Sequence, residues 1–309
     1  MTLNDFTEQT LEFSDDYEGR VVATLVHSNQ NRKGRKSALY IHGFNDYFFH
    51  PHLAEGFHNA DYNFFALDLR KYGRSLLPHQ HPNFCKDISE YYEEITEALR
   101  IIKQESQKAI VILGHSTGGL IACMYANFGQ RKELIDALIL NSPFFEFNVS
   151  KLERNINVLF AKIISFFMPY ANKSKPLSKL YSSSILKTQH GEWEFKEEWK
   201  PKCGFPAYFK WLIAISDAQT KLQSSSSIDK PILVMHSTQS IKSKKWTPDI
   251  LEMDIVLNVD HIKESGKKLG KKVTFLPVEN AMHDIFLSKK EVRNKAFSEM
   301  INWLNKTIK

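Results

Sequence analysis

The sequence has few cysteines and no long apolar run, and each shortage argues against a class of protein. Its three cysteines, Cys85, Cys123 and Cys203, stand at unrelated spacings without a C-x-x-C pair. Neither a disulfide framework nor a zinc site is therefore expected. The most apolar stretch, 158–168, is too short to span a bilayer and is broken by a lysine. The first residues have no basic region and no apolar core, so no signal peptide is expected, and we predict a soluble, cytoplasmic protein.

A strong excess of one charge is also missing. Lys and Arg total 41 against 35 Asp and Glu, which gives a formal net charge of +6 over 309 residues. The basic residues cluster only at Lys263, Lys267, Lys268, Lys271 and Lys272. A nucleic-acid-binding face needs a denser footprint, so we interpret this cluster as solvated surface and expect no nucleic-acid partner. A hydrophobic fraction of 42% and a charged fraction of 25% are ordinary globular values.

Short runs that are apolar throughout recur along the chain. They lie at 21–26, 38–42, 64–67, 109–113, 137–140, 231–235 and 273–278. Runs of this kind are typical of strands buried on both faces of a parallel sheet. Helical spacing of three and four follows the third run, at Ile88, Tyr92, Ile95, Leu99 and Ile102.

A C-terminal helix is predicted to begin at Ser288. The S-x-x-E spacing from Ser288 to Glu291 is that of a capping box. The helix would bury a stripe of apolar side chains at Val292, Ala296, Met300 and Leu304.

The strand pattern breaks between 147 and 226 and then resumes. This stretch holds three of the five Trp and the apolar run at 158–168. The simplest architecture is an α/β sheet interrupted by an inserted segment. Eight large apolar side chains within eleven residues exceed the stripe of a one-sided helix, so we expect the surplus to face a cleft or its entrance.

The strongest chemical motif is Gly114-His115-Ser116-Thr117-Gly118. It follows an apolar strand-like run and precedes a helix-like segment at 120–125. A serine at such a sharp turn exposes its hydroxyl, glycines relieve the crowding around it, and the next helix aims its first amides at the site. The motif predicts Ser116 as a nucleophile, the alternative being a turn serine between structural glycines.

An oxyanion hole is expected beside this serine. His42-Gly43-Phe44 ends another predicted strand, where a loop N–H would complete the hole with the amide that follows the nucleophile. We assign the two donors to the backbones of Phe44 and Thr117.

The base should be a histidine that follows the serine in the chain. In sites of this type the order is serine, acid, histidine. Four histidines satisfy it, namely His190, His236, His261 and His283. His283 follows the last predicted strand through a loop and precedes the final helix, so we predict it as the base; the alternative is a loop histidine that only packs or hydrogen-bonds.

The acid should lie in the long loop after the run at 231–235. The carboxylates there are Asp249, Glu252, Asp254 and Asp260. Asp254 precedes the entry to the next helix and is the predicted acid, whereas Asp260 is expected on that helix, about two turns further on at 3.6 residues per turn. Asp284, adjacent to the base, is interpreted as a solvated loop carboxylate.

In these motifs the sequence resembles the α/β-hydrolase superfamily, in particular its monoacylglycerol-lipase-like and serine-aminopeptidase-like members. Residues 68–75 resemble the family's Asp-x-x-Gly-x-Gly-x-Ser loop, with Lys71 where the first glycine stands. The segments 190–195 and 199–201 resemble bacterial members described as lysophospholipase-like. The resemblance, taken with the spacing, implies a doubly wound α/β-hydrolase core at 1–146 and 227–309 with a helical cap at 147–226.

The resemblance also implies a serine hydrolase that needs no metal and no organic cofactor. Ser116 would attack an acyl carbonyl while His283 takes its proton and Asp254 orients the imidazole. The Phe44 and Thr117 amides would hold the oxyanion.

Several substrate classes fit such a site. We expect small carboxylic esters of short or medium acyl chain, monoacylglycerol- or lysophospholipid-like, with transient membrane contact through the cap and no stable insertion. A serine aminopeptidase or amidase is the alternative enzyme, and it would need an acidic anchor such as Glu192 or Glu194. A non-catalytic ligand-binding protein on the same fold is the alternative outside enzymes.

Overall fold

A computed structural model describes residues 1–173 and 179–308, and an eight-stranded sheet forms its centre. The strands of this sheet are β1 (Phe6–Asp16), β2 (Gly19–Ser28), β3 (Lys36–Ile41), β4 (Tyr62–Asp68), β5 (Ile110–His115), β6 (Ile135–Asn141), β9 (Ile232–Ser237) and β10 (Val273–Val278). A separate two-stranded sheet pairs β7 (Asn172–Lys173) with β8 (Ala207–Tyr208).

Strand order in the main sheet is β1-β2-β4-β3-β5-β6-β9-β10. The pairs β1–β2 and β2–β4 are antiparallel, and every later pair is parallel. The helices are α1 (His52–Asn59), α2 (Tyr92–Ser106), α3 (Thr117–Phe128), α4 (Lys151–Phe167), α5 (Lys179–Ile185), α6 (Phe209–Ser225), α7 (Val259–Gly266) and α8 (Lys290–Thr307). The predicted α/β fold with a mostly parallel sheet is confirmed.

Both faces of the central strands are buried, which explains their uninterrupted apolar runs. In β5, Ile112 packs into the apolar cluster on one face, while Val111 and Leu113 pack into the cluster on the other. All three side chains are fully buried. The run at 21–26 is equally apolar but lies in β2, which is antiparallel to both neighbours, because burial on two faces does not decide strand direction.

The predicted capping box at Ser288 is wrong. Helix α8 begins at Lys290 without a side-chain cap. The Ser288 hydroxyl instead accepts a hydrogen bond of 3.0 Å from the backbone N of Met282, so it closes the loop before the helix. The stripe of α8 is buried as predicted at Ala296, Met300 and Leu304, whereas Val292 in its first turn is only partly buried.

Lys71 is fully buried although it stands where the resembled loop has glycine. Its backbone has a φ of 65°, a conformation that explains a preference for glycine. Its ammonium lies 2.8 Å from Asp16 Oδ2 and 2.6 Å from Glu18 Oε2. These two ion pairs tie the β1–β2 turn to the loop after β4 and compensate the buried charge.

The chain between β6 and β9 forms α4, α5, α6 and the small sheet. It contacts the rest of the protein near the ends of the parallel strands. Lys200 Nζ donates to Asp46 Oδ1 at 2.5 Å, and Trp193 Nε1 donates to the Leu287 carbonyl at 2.9 Å. No helix in the described part of the chain is both long and apolar enough to cross a membrane.

Candidate active site

Three side chains that are far apart in sequence form one hydrogen-bonded chain. Ser116 Oγ lies 3.1 Å from His283 Nε2, and His283 Nδ1 lies 2.9 Å from Asp254 Oδ2. All three residues are buried, with Ser116 the most accessible at 8% exposure and Asp254 at 0%. With the imidazole proton on Nδ1, the ring donates to Asp254 and can accept the serine proton at Nε2.

Ser116 occupies a strained backbone conformation between β5 and α3. Its φ is 51° and its ψ is −115°, which is unusual for a residue with a side chain. The neighbouring glycines permit it: a Cβ on Gly114 would lie 2.5 Å from the Gly118 carbonyl oxygen, and a Cβ on Gly118 would lie 2.3 Å from that of Ile41. The predicted crowding around the serine is therefore confirmed.

Asp254 is held rigidly by backbone amides. Its Oδ1 accepts from the N–H groups of Val256 and Leu257, both at 2.8 Å, and this leaves Oδ2 for His283. A bridge between Ser240 and Asp254 fixes the long loop that leads from β9 to this carboxylate.

The other carboxylates of this region lie outside the hydrogen-bonded chain. Asp260 is exposed in the first turn of α7 and pairs with Lys263 at 3.3 Å. Glu252 pairs with Lys289 at 2.6 Å, and Asp249 is exposed.

The remaining candidate histidines also lie elsewhere. His190 is exposed and stacks on Trp246 with ring centroids 3.7 Å apart. His236 is buried at the end of β9 with its Nδ1 2.7 Å from the Ser237 carbonyl, and His261 is on α7.

Phe44 and Thr117, the predicted oxyanion donors, line the same cavity as Ser116. The loop that carries Phe44 is anchored on the Asp68 motif. Asp68 Oδ1 accepts from the Phe48 backbone N at 2.9 Å, and Arg74 Nη1 donates to both Asp68 Oδ2 and the Phe48 carbonyl. This anchoring role gives a structural reason for the aspartate that begins the loop at 68–75.

Ser116 opens into a cavity of about 610 Å³. Most of its wall is apolar, at Phe44, Phe144, Phe147, Val149, Val158, Phe160, Phe209, Trp211, Leu212, Ile255, Val256 and Leu257. Asp46 is the only residue with a carboxylate among the described residues that line the cavity, and it is paired with Lys200. Arg154 also lines the cavity and is paired with Glu146 at 2.9 Å.

Glu192 and Glu194, the anchors considered for an amine substrate, are not among the described residues that line the cavity. Glu192 pairs with Arg293 at 2.9 Å, and Glu194 pairs with Lys187 at 3.0 Å. Both carboxylates are exposed on the outside of the inserted segment.

The apolar run at 158–168 divides between cavity and solvent. Val158 and Phe160 line the cavity, as expected for part of the surplus. Further residues of the run are exposed, namely Leu159, Ile163, Phe166, Phe167 and Met168. The expectation that apolar side chains of this run face a cleft is therefore met at Val158 and Phe160, and most of the run faces solvent.

Asp284 is not the solvated loop carboxylate that the sequence suggested, since it is 1% exposed. Its Oδ1 accepts from Asn141 Nδ2 at 2.8 Å and from the Phe286 backbone N at 3.0 Å. Its Oδ2 faces His115 Nε2 at 3.8 Å. Sequence reasoning missed it because the carboxylate is buried by residues of β5 and β6, which are distant in the chain.

One group of described residues could offer ligands to a metal ion. Asp46, His115 and Asp284 each place one ligand atom within 4.8 Å of the others. The Lys200 ammonium already contacts Asp46 and supplies a positive charge to this cluster. Burial lowers the pKa of His115, which favours its neutral form.

A family model described as serine aminopeptidase, S33, matches residues 32–241. The chain belongs to this family, within the α/β-hydrolase superfamily. Curated relatives are more distant. A Mycoplasma pneumoniae protein named as a candidate esterase/lipase is 26% identical over 51% of this chain, and human epoxide hydrolase 4 is 26% identical over 49%. The matches span 63% and 42% of those relatives' own lengths.

Solved structures share the fold over nearly the whole chain. A Paleococcus ferrophilus monoacylglycerol lipase superimposes with a TM-score of 0.68 at 17% identity, covering 97% of this chain and 99% of that one. A soluble variant of Saccharomyces cerevisiae monoglyceride lipase, in complex with a substrate analogue, gives 0.67 at 18% identity, covering 99% of both chains. A Bacillus coagulans carboxyl esterase in complex with glycerol gives 0.68 at 15% identity, covering 100% of both.

Proposed function

We propose that this protein is a serine hydrolase that cleaves small, uncharged carboxylic esters of short or medium acyl chain through an acyl-enzyme on Ser116. The proposal is carried by the hydrogen-bonded chain from Ser116 through His283 to Asp254, at the base of a largely apolar cavity. Residues 1–146 and 227–309 would form the catalytic core, and residues 147–226 would cover it as a cap.

In the first half of the reaction, Ser116 Oγ bonds to the acyl carbon while His283 Nε2 takes the hydroxyl proton. The carbonyl oxygen becomes an oxyanion, which the Phe44 and Thr117 amides stabilise. Asp254 keeps the imidazole in the correct tautomer and stabilises the imidazolium. When the intermediate collapses, the alcohol leaves with the proton from His283, and the acyl group stays on Ser116.

In the second half, water attacks the acyl-enzyme. His283 takes a proton from the water, the same amides hold the new oxyanion, and Ser116 leaves with the proton as the carboxylic acid is released. The groups named are sufficient for both halves, so the cycle needs no cofactor.

The lining of the cavity favours binding of an uncharged acyl group over binding of a cationic substrate. Its wall is mostly apolar, and its one described carboxylate, Asp46, is already neutralised by Lys200. An aminopeptidase must hold an α-ammonium group beside the nucleophile, and an unpaired carboxylate is the usual way to do so. Glu192 and Glu194 do not provide one, because both are paired outside the cavity.

We also propose that the outer face of α4 makes transient contact with a lipid surface. Leu152, Ile156, Leu159, Ile163, Phe166 and Phe167 recur at spacings of three and four and are all exposed. This α4 face is continuous with the cavity, because Phe160 is both 56% exposed and part of the cavity wall. An apolar face of this kind is suited to lie in the interfacial layer from which an acyl ester would enter.

Ser116→Ala should abolish ester hydrolysis without unfolding the protein. Loss of such a nucleophile lowers the rate by about 10⁶. The measurement is kcat on an activated p-nitrophenyl ester, together with labelling by a fluorophosphonate probe and a thermal unfolding curve. Turnover or labelling retained by a folded variant would contradict the assignment of Ser116.

Asp254→Asn should lower kcat by about 10⁴, because the amide no longer fixes the reactive tautomer of His283. The matched control is Asp260→Asn, six residues along and exposed on α7. The control should keep wild-type kcat on the same ester. If Asp260→Asn lost most of its kcat while Asp254→Asn stayed active, the catalytic acid would not be Asp254.

The acyl preference can be read from a series of p-nitrophenyl esters from acetate to palmitate. Each added methylene should raise kcat/KM by up to about fourfold until the cavity is full, since burial of a methylene is worth about 0.8 kcal/mol. Val158→Ser should flatten this dependence, and the neighbouring exposed Leu159→Ser should not. Faster cleavage of aminoacyl-nitroanilides, or no dependence on chain length, would favour the peptidase alternative.

Lipid contact by the α4 face can be measured by co-sedimentation with phosphatidylcholine vesicles. The double variant Phe166→Ser, Phe167→Ser should bind about tenfold more weakly, because two exposed rings no longer enter the interface. Leu3→Ser, which removes an exposed apolar side chain outside α4, should bind like the wild type. Equal binding by all three proteins would exclude the α4 face as the contact.

A further inference from the structure

The buried carboxylate of Asp284 has no part in the reaction described above. It follows His283 directly in the chain and is as inaccessible as the acid Asp254. One of its oxygens, Oδ1, accepts two hydrogen bonds, from the Asn141 amide at the end of β6 and from the Phe286 backbone. Its other oxygen, Oδ2, has no hydrogen-bond partner among the described residues.

The free oxygen faces His115, whose ring lies next to that of His283. Asp284 Oδ2 is 3.8 Å from His115 Nε2, and the ring of His115 has its centroid 5.0 Å from that of His283. The Asn141 side chain clamps the same loop a second time, because its Oδ1 accepts from the Ile285 backbone N at 3.3 Å. The segment that carries His283 is therefore attached to the sheet through Asp284 and Asn141.

We infer that Asp284 is a positioning residue for the proposed hydrolysis: it anchors the His283 loop on β6, and its charge stabilises the His283 imidazolium together with Asp254. The inference rests on the proposed function, in which His283 becomes positively charged in both halves of the reaction. Asp254 supplies the hydrogen bond, and Asp284 supplies a second negative charge, which has no Lys or Arg partner in the described part of the chain.

Among the described residues, no Lys or Arg pairs with the Asp284 carboxylate. The groups that face His283 or line the pocket beside it are Ser116, Asp254, His115, Tyr181, Asp46, Lys200, Arg154 and Lys173. Arg154 is paired with Glu146, and Lys173 is exposed. Lys200 is neutralised by Asp46 at 2.5 Å. Burial lowers the pKa of His115 and that of the nearby His50, so neither ring provides a lasting positive charge at neutral pH.

Asp284 itself is held in its ionised form. Burial opposes ionisation, but the hydrogen bond from the Asn141 amide to Oδ1 favours it, and the pKa of Asp284 lies below its ordinary value. The Asp284 side chain is therefore a carboxylate at neutral pH. A buried carboxylate interacts with a neighbouring imidazolium more strongly than a surface carboxylate does, because solvent screens it less.

The direction of the pH effect follows from the sign of this interaction. Ser116 can transfer its proton only to a neutral His283, so activity falls when the ring becomes protonated at low pH. A negative charge nearby favours the protonated ring and therefore places the acidic limb of the pH profile at higher pH. Removing the charge should move that limb to lower pH.

The variant Asp284→Asn removes the negative charge of the side chain and keeps its size and shape. The amide oxygen can still accept from Asn141 and Phe286, and the amide nitrogen replaces the oxygen that has no partner. The matched control is Glu279→Gln, which removes an exposed carboxylate four residues before His283 on the same loop. Asp284→Glu keeps the charge and serves as the conservative variant.

We expect the acidic limb of kcat/KM in Asp284→Asn to move to lower pH by on the order of one unit, and the plateau to fall by about tenfold. Glu279→Gln should match the wild type, and Asp284→Glu should keep the limb near its wild-type place. NMR titration of the His283 ring, identified by the signal lost in His283→Gln, should show the same shift of its midpoint without any substrate.

A lower plateau with an unmoved limb and an unmoved NMR midpoint would overturn the inference, since it would show an anchoring role alone. Failure of Asp284→Asn to fold would also overturn it, because the charge would then serve the fold. An equal shift in Glu279→Gln would show a general charge effect and count against Asp284. Absence of ester hydrolysis in the wild type would refute the proposed function, whereas the NMR midpoints test the Asp284 charge separately.

Discussion

The close backbone contact between the Ser116 turn and the end of β3 is the constraint on which the rest of the site depends. The two strands are parallel neighbours, and the Gly118 backbone comes so near Ile41 and His42 that no Cβ would fit there. This contact holds Ser116 in its strained conformation and brings the loop after β3 beside it. Sheet geometry thus places Ser116, the proposed nucleophile, beside the loop that carries Phe44, before any side chain of the pocket contributes.

Two further loops are attached to this frame by buried polar groups. The loop after β3 is anchored on Asp68 and Arg74, while the loop after β10 is closed by Ser288 and anchored on Asn141 through Asp284. Each anchor satisfies backbone or amide groups that would otherwise be buried without partners. The hydrogen bonds that hold the fold at this edge of the sheet are therefore the same ones that set the distances within the site.

The segment between β6 and β9 supplies much of the apolar wall of the cavity at Ser116. It joins the core through the buried pair of Lys200 and Asp46 and through the contact of Trp211 with Phe44, whose ring centroids are 4.1 Å apart. The pair neutralises the single described carboxylate of the cavity wall, and the ring contact adds apolar surface next to the expected oxyanion hole. Helix α4 contributes to the cavity wall through Val158, and it exposes Phe166 to solvent.

Local pattern was sufficient for the elements that depend on neighbouring residues. Uniformly apolar runs predicted the central strands because both of their faces are buried, whereas the mostly exposed edge strand β1 showed no such run. The two glycines around Ser116 predicted the turn because Gly114 and Gly118 crowd each other within five residues. Chain order then selected His283 and Asp254 from several candidates. Other features depended on contacts across the chain: the use of Ser288 by Met282 in place of a helix cap, the burial of Lys71 between Asp16 and Glu18, and the burial of Asp284 beside Asn141 and His115. Polarity alone makes such side chains look solvated, and only the tertiary structure decides whether a partner from a distant strand removes them from water.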